Sequence, residues 1–228
     1  VSRPWPVPCV RRWKLIRVNP MRCHRPKAFS SVSVLIVDTK CANLASVGFA
    51  FERLGITSII SDDPAKILAA DRVLLPGVGS APYAMAKIAD AGLLETLKSL
   101  QQPVLGICLG MQLLFETLEE GGRTVAGLGL VPGHVTALET GDLPSPHMGW
   151  NRLTDLKDDP LTAGLTEGDY AYFVHSFAAP VAEMTRATTT YHSPFTAMLR
   201  HGNVRGCQFH PERSAATGAA ILKAFAVL

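Results

Sequence analysis

Nowhere in the 228 residues is there an uninterrupted apolar run of about 18, the length a membrane-spanning helix needs. Cys-x-x-Cys pairs are also missing. The five cysteines (Cys9, Cys23, Cys41, Cys108, Cys207) are odd in number and widely spaced, which argues against a disulfide framework or a zinc site and fits a reducing, cytoplasmic compartment. No P-loop and no Gly-x-Gly-x-x-Gly run opens a helix, so neither a nucleotide cofactor nor a metal is expected. Acidic residues are absent from residues 1–31, where eight Lys or Arg and five prolines stand. That stretch reads as a basic arm of little stable structure or a start assigned upstream of the true one, with a transit peptide as the alternative. The net charge of +3 hides this asymmetry, because residues 32–228 carry 14 basic and 19 acidic residues. With the basic charge confined to a Pro-rich arm, no nucleic-acid partner is expected.

What is present from Ser33 onward is alternation. Val34–Val37 reads as a buried strand, and Asn43 as the cap of a helix with Leu44, Val47, Phe51 and Leu54 on one face and Gly55 at its end. Residues 56–60 and 72–75 are strand-like, Asp62-Asp63-Pro64 starts a short helix, and residues 83–100 form a helical region. Alternating strands and helices predict an α/β fold with a mostly parallel central sheet flanked by helices. Beyond residue 120, glycines and short strand-like pieces at 149–153, 170–174, 185–191 and 195–200 predict a smaller β-rich addition. Residues 205–209 read as the last strand, and an apolar stripe predicts a closing helix over 215–228. At 47% hydrophobic residues, the chain can bury one domain, 32–228.

Within that domain, Val104 to Ile107 reads as a strand, and Met111, Leu114, Phe115 and Leu118 recur at helical spacing. Cys108 therefore stands where a strand turns into a helix, flanked by Gly106 and Gly110. Such an elbow presents a nucleophile at the carboxyl end of a sheet, where a helix N-terminus favours a thiolate and its N–H groups can hold an oxyanion. The plain alternative is that Cys108 is a small buried residue, so a base is needed to decide. Most of the seven histidines sit in turns or in the arm. His210 follows the last strand, with Glu212 two residues on and Pro211 between, which in extended backbone puts both side chains on one side. A carboxylate beside an imidazole fixes its tautomer and stabilises its charged form, as a Cys–His pair requires. Cys207, of opposite parity to His210, is expected to face into packing.

Gly106-Ile107-Cys108-Leu109-Gly110-Met111-Gln112 and His210-Pro211-Glu212 together resemble the class I (triad) glutamine amidotransferases over residues 32–228. With Pro76-Gly77-Val78-Gly79, Pro146-His147-Met148-Gly149-Trp150-Asn151 and Tyr172-Phe173-Val174-His175-Ser176-Phe177, the pattern is similar to the glutaminase subunits that serve histidine biosynthesis. The resemblance implies catalytic Cys108, His210 and Glu212, and an oxyanion site at Leu109, Gly77 and Val78. It further implies that Gln112, His175, Ser176 and Phe177 hold glutamine. It also implies a heterodimer with a (β/α)8 cyclase, with His147, Trp150 and Arg213 at the interface. Another amidotransferase subunit, a Cys–His peptidase or γ-glutamyl hydrolase, and a scaffold with a vestigial triad remain as competing readings.

Overall fold

The computed structural model describes residues 34–40 and 42–228, so the basic arm expected over residues 1–31 lies outside the described residues. The first half alternates as expected: β1 (Val34–Val37), α1 (Leu44–Arg53), β2 (Ser58–Ser61), α2 (Pro64–Ala69), β3 (Arg72–Gly77), α3 (Ala81–Asp90), α4 (Leu94–Lys98), β4 (Val104–Cys108) and α5 (Leu109–Leu113). Local chemistry sets the boundaries. Asn43 Oδ1 accepts from the Ser46 N–H at 3.3 Å, Asp63 Oδ1 accepts from the Ala65 N–H at 2.9 Å, and Gly55 leaves α1 with φ +71°. The second half is mostly strand: β5 (Phe115–Glu120), β6 (Arg123–Ala126), β7 (Val131–Ala137), β8 (His147–Arg152), β9 (Tyr170–His175), β10 (Phe177–Ala178), β11 (Thr185–Tyr191), β12 (Ser193–His201) and β13 (Val204–Cys207). A 3-10 turn at Pro211–Arg213 and α6 (Ala215–Phe225) close the chain.

The main sheet runs β2-β1-β3-β4-β13 in parallel, with β12 and β11 added antiparallel beyond β13. Every residue of β1, β3 and β4 is buried, as parallel strands covered on both faces must be. Alternate residues serve opposite layers. Leu35, Val37, Val73 and Leu75 pack with Ile67, Ala84, Ile88 and Leu97 from α2, α3 and α4, while Val34, Ile36, Leu74 and Leu105 pack with Val47 and Phe51 of α1 and Ile221, Leu222 and Phe225 of α6. The β-rich addition is a four-stranded sheet, β10-β7-β5-β6, and the hairpin β8-β9. Among the described residues, no helix is long and apolar enough to cross a membrane.

Two expectations need correction. The helix read through Leu114, Phe115 and Leu118 stops at Leu113, and residues 115–120 are β5. Phe115 and Leu118 are both buried although three residues apart, because the pairing of β5 with β7 shifts register between Phe115 and Thr117. A bulged strand thus imitates helical spacing. The helical region at 83–100 is two helices, separated where Gly92 takes φ +67°.

Candidate active site

Cys108 ends β4 with φ 53° and ψ −116°, a backbone state costing a non-glycine residue of order 1–3 kcal/mol. The glycines around it are required by close approach. A Cβ on Gly106 would stand 2.7 Å from the Met111 backbone, one on Gly77 would stand 2.7 Å from the Gly110 nitrogen, and one on Gly110 would run into the Leu75 carbonyl. The β3 strand, β4 and α5 therefore meet backbone to backbone, and this contact holds the elbow in its turn.

His210 is brought beside it by β13, which pairs with β4 up to Cys207 opposite Ile107. The His210 N–H donates to the Tyr172 carbonyl at 2.9 Å. The buried Ser214 hydroxyl donates to the His210 carbonyl at 2.7 Å and accepts from the Tyr172 N–H at 2.9 Å. The segment after His210 is a 3-10 turn, not the extended backbone expected, yet it serves the same end. His210 Nδ1 lies 2.8 Å from Glu212 Oε1, with side chains 13% and 5% exposed. Burial opposes a charge on His210, but hydrogen bonds to Cys108 and Glu212, with the charges of both, outweigh it and push its pKa up to about 10. At neutral pH the ring is an imidazolium. With Nδ1 taken by Glu212, Nε2 is the nitrogen left for the Cys108 sulfur. Cys207, as its parity predicts, is fully buried, and burial together with the Glu212 and Asp159 charges pushes its thiol well above the ordinary range.

A cleft of about 330 Å³ opens over the sulfur. Cys108, His210, Val78, Leu109, Gln112 and the segment His175, Ser176 and Phe177 all line it, so most of the residues singled out from sequence converge there. Gly77 lines an adjoining hollow of about 180 Å³ with Val78, His210, Glu212 and Arg213. Gln112 spends both N–H groups inside the protein, on the Phe177 carbonyl at 2.8 Å and Gln208 Oε1 at 2.9 Å, so only its carbonyl oxygen is left for a ligand. Glu120, overlooked in the sequence, also lines the cleft and accepts a hydrogen bond from the Ala81 N–H at the start of α3. Its signal lay hidden in the misread strand β5.

His175 and His147 are built differently from what the sequence suggests. His175 Nδ1 donates to the Phe177 carbonyl at 2.8 Å, and its Nε2 faces His147 Nδ1 at 3.1 Å. Both ring nitrogens are used, so the imidazole shapes the cleft wall without offering a nitrogen to a ligand. His147, expected at an interface, is 3% exposed and stacks between Phe173 and Tyr191 at 5.0 and 4.1 Å, so it has no surface to give a partner. Burial lowers the pKa of His147 to about 4 and that of His175 to about 3, leaving both neutral. The opposite face of β8 does reach solvent. Trp150 is 52% exposed, its ring 5.9 Å from Tyr172, and Arg213 lies over the same Tyr172 ring at 5.5 Å.

Comparison with known proteins gives the family. The family profile "Glutamine amidotransferase class-I" matches residues 36–228. The chain is 54% identical over 194 residues to the "Imidazole glycerol phosphate synthase subunit HisH" of Idiomarina loihiensis, covering 85% of this chain and 97% of that relative. It is 50% identical over 196 residues to the corresponding HisH 1 protein of Vibrio vulnificus, covering 84% and 96%. Among solved structures, PurLQS from Thermotoga maritima superposes with a TM-score of 0.61 at 20% identity, covering 85% of this chain and 96% of that one. The glutaminase domain of Trypanosoma brucei CTPS, solved with bound acivicin, superposes at 0.58 and 14%, covering 86% and 93%. At such identities these two share the fold.

Proposed function

The chain belongs to the class I glutamine amidotransferases, and from that membership we propose that it is the glutaminase subunit of an imidazole glycerol phosphate synthase, acting in histidine biosynthesis. The observation that carries this reading is the 50–54% identity along nearly the whole length of HisH subunits, in a chain whose Cys108, His210 and Glu212 gather at one sheet edge. Residues 32–228 form the amidotransferase domain, and the arm at 1–31 stands outside it.

The chemistry follows from the residues. Cys108, as thiolate, attacks the side-chain carboxamide carbon of glutamine, and the N–H groups of Leu109 and of the Gly77-Val78 loop receive the oxyanion. His210 gives its proton to the departing nitrogen, the C–N bond breaks, and ammonia leaves a glutamyl thioester behind. Neutral His210, oriented by Glu212, then takes a proton from water as it adds to the thioester. The C–S bond breaks and glutamate is released. The carbonyl oxygen of Gln112 and the carboxylate of Glu120 are the acceptors suited to the substrate's ammonium, and Ser176 and Phe177 line the same cleft. No cofactor takes part in these steps.

Free ammonia is mostly ammonium at neutral pH and is then unreactive, so a closed route to an acceptor has a chemical reason. We assign that acceptor to a separate (β/α)8 cyclase subunit, which uses the ammonia to make imidazole glycerol phosphate and an aminoimidazole carboxamide ribonucleotide. Of the three residues expected at that interface, Trp150 and Arg213 have surface free to meet it. The test is glutamate release from glutamine by the purified chain, alone and with the cyclase and its ribonucleotide substrate. Slow release alone and a rise of orders of magnitude with the loaded partner supports the assignment. Strong turnover unaffected by the partner would move it to a stand-alone hydrolase.

A further inference from the structure

One carbonyl oxygen decides the orientation of three side chains, and the last of them points at the nucleophile. The Phe177 carbonyl can only accept, so the groups facing it, Gln112 Nε2 at 2.8 Å and His175 Nδ1 at 2.8 Å, must donate. With its nitrogen so anchored, Gln112 Nε2 also donates to the neighbouring amide at 2.9 Å, and that atom of Gln208 must be the oxygen. Flipping Gln208 would set two N–H groups against each other, and flipping Gln112 would set two carbonyls against each other. The remaining end of Gln208 is therefore its Nε2, and it lies 3.9 Å from Cys108 Sγ.

Gln208 is fully buried, and its backbone N–H is already spent on the Ala197 carbonyl at 2.9 Å. The sulfur is the partner for its side-chain nitrogen. The Val174 carbonyl also lies at the sulfur, at 3.6 Å, where it suits an S–H and repels a thiolate. Once the proton resides on His210, an N–H donor on the sulfur is what the site requires.

We propose that Gln208 is a further catalytic residue: its amide N–H stabilises the negative sulfur of Cys108 before attack and again as the thioester breaks down. Gln112 holds it in that orientation. Because Gln112 lines the cleft with its carbonyl oxygen left free, an ammonium that binds this oxygen polarises the Gln112 N–H and, through Gln208 Oε1, the N–H on the sulfur. Substrate binding and nucleophile strength are thereby linked through two amides. The inference rests on Cys108 being the nucleophile.

The experiment is alkylation of Cys108 by iodoacetamide across pH in the full-length chain, compared with Gln208→Met and Gln208→Glu, alongside partner-stimulated glutamine hydrolysis. Met fills the space without a donor, and Glu keeps an acceptor for Gln112 while removing the N–H. Loss of a hydrogen bond to a charged group predicts alkylation at pH 7 slowed roughly tenfold to a hundredfold, more for Glu, with the rate–pH profile moved toward alkali. The kcat falls with it; KM for glutamine stays within about twofold in Gln208→Glu, which keeps the acceptor that holds Gln112, and rises in Gln208→Met, which does not. A merely structural Gln208 would leave the profile in place. Should either variant fail to fold, the wild-type chain with ¹⁵N-labelled glutamine side chains gives the same answer. The Gln208 amide resonance titrates along the alkylation profile and is flat in Cys108→Ala. An unchanged profile, or a Gln208 resonance that does not titrate, overturns the inference. Hydrolysis surviving in Cys108→Ala would instead overturn the reading of the nucleophile.

Discussion

His210 Nδ1 and Glu212 Oε1 stand 2.8 Å apart with little of either side chain exposed, and the imidazole is charged there although desolvation opposes it. The account predicts that His210 remains an imidazolium at pH 8 by ¹⁵N NMR and titrates near 10. In Cys108→Ala and Glu212→Gln, which each remove one source of the shift, the midpoint falls toward 6.5. Since the folded value lies above the unfolded one, the stabilisation is fully present below pH 6.5 and is lost as pH rises toward 10. Glu212→Gln lowers kcat for glutamine hydrolysis by roughly tenfold to a hundredfold, the loss expected for a charge-assisted bond, with KM little changed. Equal titration of His210 in all three proteins would contradict this.

The glycines of the elbow predict a different defect. Gly110→Ala drives a methyl group into the Leu75 carbonyl, and Gly106→Ala presses on the Met111 backbone. Each is expected to cost more than about 3 kcal/mol, read as a fall in Tm or loss of soluble protein. Gly48→Ala, in the middle of α1 with nothing near its Cβ, serves as the control and stabilises slightly.

Acid acts through the buried histidine pair. His147 and His175 hold folded values of about 4 and 3, below the ordinary 6.5, so the unfolded chain binds more protons as pH falls. Their neutral pairing contributes fully above pH 6.5 and is lost progressively below it. By pH 5 the loss is about 2 kcal/mol for each ring. Thermal melts of wild type and His147→Phe from pH 7.5 to 5 check this. The variant, which keeps the stack on Phe173 and Tyr191 but cannot titrate, shows the shallower slope.

Trp150 and Arg213 share the Tyr172 ring at the surface. Trp150→Ala and Arg213→Ala are expected to weaken cyclase binding by tenfold or more in calorimetry, since exposed Trp and Arg are the usual anchors of an interface. The melting temperature of the chain alone should move little. Undiminished binding would place the interface elsewhere.

Much of this site was legible in the sequence because its elements are local. The spacing of Gly106, Cys108 and Gly110 records the approach of β3 and α5 to β4, and the two-residue step from His210 to Glu212 survives the change from extended chain to 3-10 turn. What could not be read depends on partners distant in the chain. His147, which the resemblance assigns to an interface, is shown to be a packing residue only once β8 pairs with β9 and sets it opposite His175. Gln208 looks like a strand filler until β13 lies beside β4 and Gln112 fixes its amide. Glu120 was hidden because a bulge in β5 gives Phe115 and Leu118 the spacing of a helix.

The central claim is that Cys108 carries the glutamyl group. The most direct measurement is mass spectrometry of the chain, incubated with glutamine and the loaded cyclase, quenched in acid and digested. The account predicts a glutamyl adduct on the peptide containing Cys108, absent with Cys108→Ala, whose glutamate release is abolished. An adduct on Cys207, or turnover persisting in Cys108→Ala, would contradict it.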